Sequence, residues 1–194
     1  MLKRAFDFVV ALLALLILAL PLGVIAIIIR LTSGRALFLQ PRLGLHGKPF
    51  TVIKFRTMND ARDAEGNLLP DQDRLTALGR FLRRTSLDEL PELINVLKGE
   101  MSLVGPRPLL LQYWERYSPE QRRRTDVKPG LTGWVQINGR NALSWPQKFT
   151  LDVWYVDHQS FWLDLKIIAL TAWKILRQEG ISHPNHATME EFRG

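Results

Sequence analysis

The feature that most constrains the fold is an uncharged apolar run near the N-terminus. Residues 8–29 form 22 consecutive positions without a charged side chain, and 16 of them are Leu, Ile, Val or Phe. As an α-helix rising about 1.5 Å per residue, the run would be about 33 Å long, close to the ~30 Å hydrocarbon thickness of a bilayer. At about −0.45 kcal/mol for each such residue, insertion is favoured by roughly 7 kcal/mol. We therefore predict that the chain associates with a membrane.

A proline inside this run bears on how it enters the membrane. Pro21 removes a backbone hydrogen bond and predicts a break between helices of about 13 and about 8 residues, neither of which can span a bilayer alone. Basic residues flank both ends, with Lys3 and Arg4 before the run and Arg30 and Arg35 after it. Because the positive-inside tendency draws basic flanks to the cytoplasm, both ends are expected on that side.

These signals predict two parts of the chain. Residues 1–30 are expected to form a re-entrant helix-break-helix that enters and leaves the inner membrane at its cytoplasmic face. Residues 31–194 are expected to form a cytoplasmic domain. Two alternatives stay open. One is a kinked single span with its N-terminus outside, because proline is tolerated in membrane helices. The other is a cleaved signal peptide, although the apolar run is longer than the hydrophobic region of a typical signal peptide.

Composition and missing motifs narrow the classes of function. The chain has no cysteine, which excludes a disulfide scaffold, a thiolate zinc site and a cysteine nucleophile. It lacks a Walker A lysine motif, G-x-G-x-x-G and H-E-x-x-H, so kinase, Rossmann dehydrogenase and zinc hydrolase functions are not expected. A net charge of +7 indicates an anionic partner such as nucleic acid, anionic lipid or a phosphorylated substrate.

Local patterns predict an α/β fold, mostly helical, in a single membrane-attached domain. Residues 50–58 alternate like a short strand, and residues 60–73 have the Gly, Asn and Pro content of a loop. Helices are expected to begin after Ser118 and Ser144, because each serine precedes a glutamine by three residues. Residues 161–178 are predicted to form an amphipathic helix.

Tryptophans are concentrated in the C-terminal half of the domain. Five of the six lie between positions 134 and 173, and indole rings favour the headgroup layer of a membrane. On the predicted helix over residues 161–178, one apolar stripe is formed by Trp162, Leu165, Ala169, Ala172, Trp173 and Leu176. We expect interfacial helices beneath the domain; tryptophans in an ordinary core are the alternative.

Two acidic residues in mid-chain follow a pair of arginines. Ser86 and Glu89 have capping-box spacing, which predicts a helix that begins behind Ser86 with Asp88 and Glu89 in its first turn. Such acids serve either the helix or a reaction, and the local pattern leaves both open.

Three arginines suggest a phosphate near these acids. Arg83 precedes them, Arg107 lies between two prolines that restrict its backbone, and Arg140 follows a glycine turn. Planar guanidinium groups and helix N-termini bind phosphate, and a carboxylate can hold Mg²⁺ that bridges phosphate oxygens. The surroundings therefore favour a phosphorylated ligand.

Seven short segments resemble one known family over nearly the whole chain. They are KRAFD (3–7), KFRTM (54–58), TSLDELP (85–91), NVLKGEMSLVGPRP (95–108), KPGLTGW (128–134), NGRN (138–141) and LDVWYVD (151–157). In combination they resemble the small monotopic phosphoglycosyl transferases, the bacterial sugar transferase family that loads a sugar phosphate onto polyprenyl phosphate. The family's usual Ser-Pro pair at the helix break is here Leu20-Pro21, so a hydroxyl that could bond a freed carbonyl is missing.

The resemblance implies a Mg²⁺-dependent, two-step reaction at the cytoplasmic face of the inner membrane. Asp88 would attack the β-phosphate of a UDP-sugar, release UMP and carry a phosphosugar until polyprenyl phosphate takes it. Glu89 would assist the lipid phosphate, and Asp88 would hold the Mg²⁺. Residues implied to contact the phosphates are Lys54, Arg83 and Arg107, and the residue implied to contact the nucleotide is Arg140.

The resemblance also bears on partners. The tail over residues 186–192 is similar to that of family members acting on acetylated amino sugars, so we expect an N-acetylated amino sugar as donor. Membrane lipids are expected partners and nucleic acid is not. Two alternatives remain: a membrane-anchored basic module that binds nucleic acid or anionic lipid, whose binding weakens steeply with salt, and a single-displacement transferase that releases no UMP without acceptor.

Overall fold

The computed structural model describes residues 2–139, 142–177 and 191–194, and its first element is one long apolar helix, α1 (Leu2–Ser33). By length and composition, α1 is long and apolar enough to cross a membrane. The α-helices that follow it are α2 (Asp71–Arg74), α3 (Ala77–Thr85), α4 (Leu93–Lys98), α5 (Pro119–Arg122), α6 (Trp134–Ile137), α7 (Trp145–His158) and α8 (Phe161–Arg177). The strands are β1 (Leu37–Leu43), β2 (Pro49–Phe55), β3 (Ser102–Val104) and β4 (Gly130–Thr132). The described chain is therefore mostly helical, as predicted.

The predicted break at Pro21 is not found, because α1 runs through it as one helix. A proline removes one amide donor, and the turns on either side keep their own hydrogen bonds, so an apolar helix can continue through it. The return of the chain to one membrane face stays a prediction.

The N-terminal turns of α1 are bonded to the body of the protein. Lys3 pairs with Asp164 of α8 at 2.5 Å. Arg4 donates to the carbonyl oxygens of Val96 and Leu97 at the end of α4, at 2.6 and 2.8 Å, where a cation suits the helix dipole. Asp7 accepts bonds from the Ser102 hydroxyl and the Leu103 amide in β3. The KRAFD segment therefore fixes the start of α1 on the domain.

The C-terminal turns of α1 contact the same body at a second place. Ile29 is buried together with Phe55 of β2 and Leu82 of α3. Between the two contacts the turns over residues 16–20 are mostly exposed, with Ile17 76% and Leu20 79% exposed. Both ends of α1 are thus docked while its middle presents apolar side chains outward.

A two-stranded antiparallel hairpin of β1 and β2 follows α1, with Phe38 opposite Lys54 and Leu37 opposite Phe55. The predicted strand over residues 50–58 is therefore confirmed, although it ends at Phe55. Asn95 of α4 holds β2 in place, since it accepts from the Ile53 amide at 3.1 Å and donates to the Thr51 carbonyl at 2.7 Å.

The centre of the domain is a short parallel pair, β3 and β4. Its backbones approach so closely that a Cβ on Gly105 would lie 2.3 Å from the Lys128 carbonyl oxygen, so this contact requires glycine. Around the pair lies the largest hydrophobic cluster, which includes residues from α1, α4, α7 and α8. The chain emerges from this core into residues 105–108.

Several local predictions are confirmed. Ser118 and Ser144 each complete a capping box at the start of α5 and α7. The loop predicted over residues 60–73 is mostly irregular, with α2 beginning at Asp71.

Helix α8 forms as predicted, and its apolar stripe faces outward. Trp162 is 78% and Trp173 52% exposed, and Ala172 is exposed as well. The opposite face carries the buried Asp164 and Ile167. Tryptophans of this helix therefore lie outside the core, as an interfacial helix requires.

Some sequence-based expectations fall outside the described residues. They concern Arg140 and Asn141, the side chain of Leu176, and residues 178–190 with most of the tail.

Candidate active site

The acidic pair lies in a tight turn between two helices. The 3₁₀ turn Leu87–Glu92 follows α3 directly and leads into α4. The predicted capping box at Ser86 is wrong, because Ser86 adopts the left-handed conformation (φ 57°) and its side chain caps nothing. Ser86 ends α3 and reverses the chain, and a residue that makes this reversal cannot hold the extended backbone of an N-cap.

This turn places Asp88 in the interior of the site. Asp88 is 9% exposed and Glu92 is 3% exposed, whereas Glu89 remains partly accessible. Strand β2 packs against the turn, which brings the strand's cation to the acids. Three carboxylates thus lie within one short 3₁₀ segment.

Lys54 on β2 joins two of these acids. Its ammonium nitrogen lies 2.8 Å from Glu89 Oε1 and 2.9 Å from Glu92 Oε1. Since the side chains of Glu92 and Lys54 are mostly removed from solvent, the charges interact more strongly than on a surface. The structure therefore places Lys54 beside the acidic pair, and its predicted contact with a phosphate stays a prediction.

Arg107, in the loop over residues 105–108, also bonds Glu89. Its Nη2 lies 2.5 Å from Glu89 Oε1, and its side chain is 47% exposed. The backbone is held on both sides, since Pro106 accepts a bond from the Gly130 amide at 3.0 Å and Pro108 is buried. The guanidinium is thus fixed at the edge of the site with donors still open to solvent, which suits an anionic ligand.

Arg83 lies at the end of α3 and donates from Nε to the Thr57 hydroxyl at 3.1 Å. Thr57 follows β2, so Arg83 is attached to the wall of the site that carries Lys54. The placement of Arg140 lies outside the described residues. Of the predicted contact residues, the structure places Lys54 and Arg107 in contact with Glu89, and Arg83 close enough to Asp88 to lower its pKa.

The surroundings of the site shift the pKa values of Asp88 and Glu89 in opposite directions. Burial, with the neighbouring Glu89 carboxylate, raises the pKa of Asp88, while Lys54, Arg107 and Arg83 act against this rise. Burial also disfavours ionised Glu89, but Arg107 and Lys54 outweigh it and hold the pKa of Glu89 well below its ordinary value. Glu89 is thus an ionised partner for cations, and Asp88 is a carboxylate whose basicity is enhanced by its surroundings.

Two residues of the site were not predicted from the sequence. Burial raises the pKa of Glu92 to about 7, against the influence of Lys54. Burial and the charge of Arg107 lower the pKa of Arg42 to about 10. Both line a small cavity of about 20 Å³ beside Lys54 and Arg107, enough for about one water molecule. The signal that could have found Glu92 is its position in the same turn as Asp88; Arg42 has no local signal.

The arrangement can be tested for a metal ion. The described residues hold no group of three or more His, Asp or Glu side chains that could bind one. Glu89 Oε1 is already shared by Lys54 and Arg107, so Asp88 is the acid of the pair that fits a cation. Mg²⁺ commonly takes one or two carboxylates and completes its shell with substrate phosphates and water. A single aspartate beside open cationic groups fits that pattern.

Chemically, the site combines a buried carboxylate with fixed cations and lies beside the membrane-type helix α1. Nucleophilic attack by a carboxylate on phosphorus is one reaction it can perform, because the cations can neutralise charge on the phosphate oxygens. The turn is joined to α1 through the packing of Leu87 near Ile29 and Leu82.

Comparison with known proteins identifies the family. A profile described as "Bacterial sugar transferase" matches residues 1–178. The chain is 57% identical over 194 residues to "Uncharacterized sugar transferase EpsL" of Bacillus subtilis, covering 100% of this chain and 96% of that protein.

Two further relatives carry more specific names. The chain is 43% identical over 185 residues to the UDP-glucose:undecaprenyl-phosphate glucose-1-phosphate transferase of Escherichia coli, covering 90% of this chain and 40% of that protein. It is 41% identical over 198 residues to the undecaprenyl-phosphate galactose phosphotransferase of Salmonella typhimurium, covering 92% and 41%. The chain thus spans less than half the length of these two relatives. On the profile match and the relative of similar length, the chain belongs to the bacterial sugar transferase family.

Proposed function

We propose that this protein transfers a sugar 1-phosphate from a UDP-sugar to polyprenyl phosphate and releases UMP. The observation that carries the proposal is the turn in which buried Asp88 lies beside Glu89, with Lys54 and Arg107 bonded to the latter. The names of the relatives from E. coli and S. typhimurium, which specify undecaprenyl-phosphate transferases, support the acceptor class.

The first step is a displacement at the β-phosphorus of the donor. An oxygen of Asp88 bonds to phosphorus, and the bond from phosphorus to the oxygen bridging the two phosphates breaks. UMP leaves with the electron pair of that bond, and a phosphosugar remains as an acyl phosphate on Asp88. Burial raises the pKa of Asp88, while Lys54, Arg107 and Arg83 act against that rise and so favour the ionised carboxylate that the attack requires.

The second step regenerates the free carboxylate of Asp88. An oxygen of polyprenyl phosphate attacks the same phosphorus, and the bond to Asp88 breaks with the electron pair returning to the carboxylate. Glu89 is ionised and held by two cations, so we assign it the positioning of Arg107 and, through Arg107, of the incoming phosphate. Two steps also keep two doubly charged groups apart, since at about 6 Å and an effective dielectric near 20 their repulsion would be roughly 11 kcal/mol.

Cations offset the charge of both phosphate groups. Arg107 presents donors at the rim, Lys54 bonds the same Glu89 oxygen from β2, and Arg83 is bonded to Thr57 just after β2. We assign Mg²⁺ to Asp88, where it would supply further neutralisation of the phosphate oxygens. Arg140 remains our candidate for the nucleotide on the basis of its motif.

The docking of both ends of α1 supports a re-entrant arrangement, in which α1 would bend at Pro21 while remaining one helix. A helix that crossed the bilayer would carry one end about 30 Å from a body on the other side, yet Lys3 and Ile29 both contact the same body. With the exposed turns around Leu20 in the lipid, the active site would face the cytoplasm at the depth of a lipid phosphate. Exposed Trp162 and Trp173 suit the same interface.

The donor and the route can be tested together. Purified protein in nanodiscs is incubated with a panel of UDP-sugars, with and without polyprenyl phosphate, and UMP is measured. We expect one stoichiometric burst of UMP without acceptor, sustained release with acceptor, and the highest rate for an N-acetylated amino sugar. Release of UMP that strictly requires acceptor would contradict the two-step route, and no release with any donor would contradict the function.

A further inference from the structure

A buried ion pair lies next to the loop over residues 105–108, which carries Arg107, and is not part of the site itself. Arg124 and Asp152 are each 4% exposed. Arg124 donates to Asp152 Oδ2 from Nε at 3.0 Å and from Nη2 at 2.7 Å. Arg124 lies in the 3₁₀ turn Arg123–Thr125, and Asp152 lies in the middle of α7.

The same guanidinium holds the backbone of the loop over residues 105–108. Arg124 Nη2 donates to the carbonyl oxygen of Arg107 at 2.8 Å. Neither Pro106 nor Pro108 has an amide proton to offer a backbone bond nearby, so the bond from Arg124 is a direct restraint on this peptide. Arg107 then extends outward to Glu89 at 2.5 Å.

Stability alone does not account for this pair. Removing two charges from water costs several kcal/mol per ion, and replacing a buried pair by apolar residues is often neutral or stabilising. An apolar side chain at position 124, however, could not bond the Arg107 carbonyl. The geometry therefore favours a role in fixing the loop.

We propose that Arg124 and Asp152 are positioning residues that hold Arg107 where it binds the diphosphate of the donor. The inference rests on the proposed function and adds a support for its phosphate contact. Asp152 orients the guanidinium, and the guanidinium fixes the Arg107 peptide. A lysine at position 124 would keep the charge but lose the planar fork that makes these bonds together.

The test uses Arg124→Lys in the full chain and measures the turnover of UDP-sugar and the binding of UDP by calorimetry. We expect kcat/KM to fall and the Kd for UDP to rise by roughly 10- to 100-fold, as is usual when a support of a binding residue is lost. Asp152→Asn is the second variant, with a similar but smaller effect expected. Melting curves establish that each variant is folded at the assay temperature.

The neighbouring Arg123 supplies a matched control. It is an arginine of the same turn whose ion pairs with Glu120 and Asp157 lie at the surface, so Arg123→Lys should change kcat/KM and Kd by less than about twofold.

A double-mutant cycle distinguishes positioning from a general structural role. If Arg124 acts through Arg107, then Arg124→Lys added to Arg107→Lys should cause little further loss in UDP affinity. An equal further loss would overturn the proposal, as would wild-type UDP affinity in Arg124→Lys, or failure of both Arg124→Lys and Asp152→Asn to fold. If the wild-type protein neither binds UDP nor turns over any donor, the proposed function fails and takes this inference with it.

Discussion

Lys54 neutralises two carboxylates at once, so its removal tests the charge balance of the site. In Lys54→Met, Glu89 keeps Arg107 at 2.5 Å, but Glu92, which is 3% exposed, loses its partner at 2.9 Å. Breaking a buried pair by removing one partner costs about 3 to 5 kcal/mol. Because the Lys54 side chain is 20% exposed, we expect a loss of unfolding free energy at the lower end of this range, about 3 kcal/mol at pH 8.

A second substitution should restore part of this loss. Glu92→Gln removes the charge that Lys54→Met leaves unpaired, so the double variant should regain about 2 kcal/mol relative to Lys54→Met. Both effects follow from the two short contacts of one ammonium group. An additive destabilisation is not expected, because the two residues interact directly.

Thermal unfolding in detergent micelles, followed by tryptophan fluorescence, measures both effects. For a chain of this length, 3 kcal/mol corresponds to a fall in Tm of about 6 to 12 °C. Lys48→Met is the control, since Lys48 is exposed and its loss should cost less than about 0.5 kcal/mol. An unchanged Tm in Lys54→Met, or a double variant less stable than Lys54→Met, would refute the reasoning.

Three further predictions concern the acids and the membrane face. Because the pKa of Glu92 is raised to about 7, the folded state keeps a proton that the unfolded state has released, so wild-type stability should fall as the pH rises from about 4.5 to about 7; denaturant titrations of Glu92→Gln should show a flatter dependence. Asp7→Ala should destabilise by about 2 to 4 kcal/mol, because it leaves the Ser102 hydroxyl and a neighbouring buried amide without their acceptor; a Tm equal to wild type would contradict this. Brominated lipids in nanodiscs should quench wild-type fluorescence, and replacing Trp162 and Trp173 with Phe should remove much of that quenching; equal quenching would place these side chains away from lipid.

Elements that depend on adjacent residues could be predicted from the sequence. The capping boxes at Ser118 and Ser144 use four consecutive residues each and were found as expected. The same spacing failed at Ser86, because there the preceding helix ends and the backbone must reverse. A local pattern does not record that a helix already occupies the positions before it. Pro21 predicted a break for a different reason, the loss of one amide donor, and α1 nevertheless continues through it as one helix.

The site was predictable where its residues lie in motifs. Asp88, Glu89, Lys54 and Arg107 were expected, and the structure brings them together, although their chemical roles stay proposals. Arg42 could not be predicted, because the hairpin of β1 and β2 alone carries it to the cavity.

The contacts that hold the Arg107 backbone could not be predicted from the sequence either. Arg124 bonds Asp152, 28 residues away in the chain, and the backbone of Arg107, 17 residues away. No periodicity or local spacing joins these positions, since their contact arises when α7 packs beside the turn that carries Arg124. Long-range polar contacts of this kind depend on tertiary packing.

The most direct test of the central claim is peptide mass spectrometry of protein quenched in acid after incubation with donor but no acceptor. We predict a phosphosugar mass on the peptide that contains Asp88, lost when polyprenyl phosphate is added and absent in Asp88→Asn. If UMP accumulates under turnover conditions while this peptide never gains mass, or if Asp88→Asn gains it equally, covalent catalysis by Asp88 is contradicted.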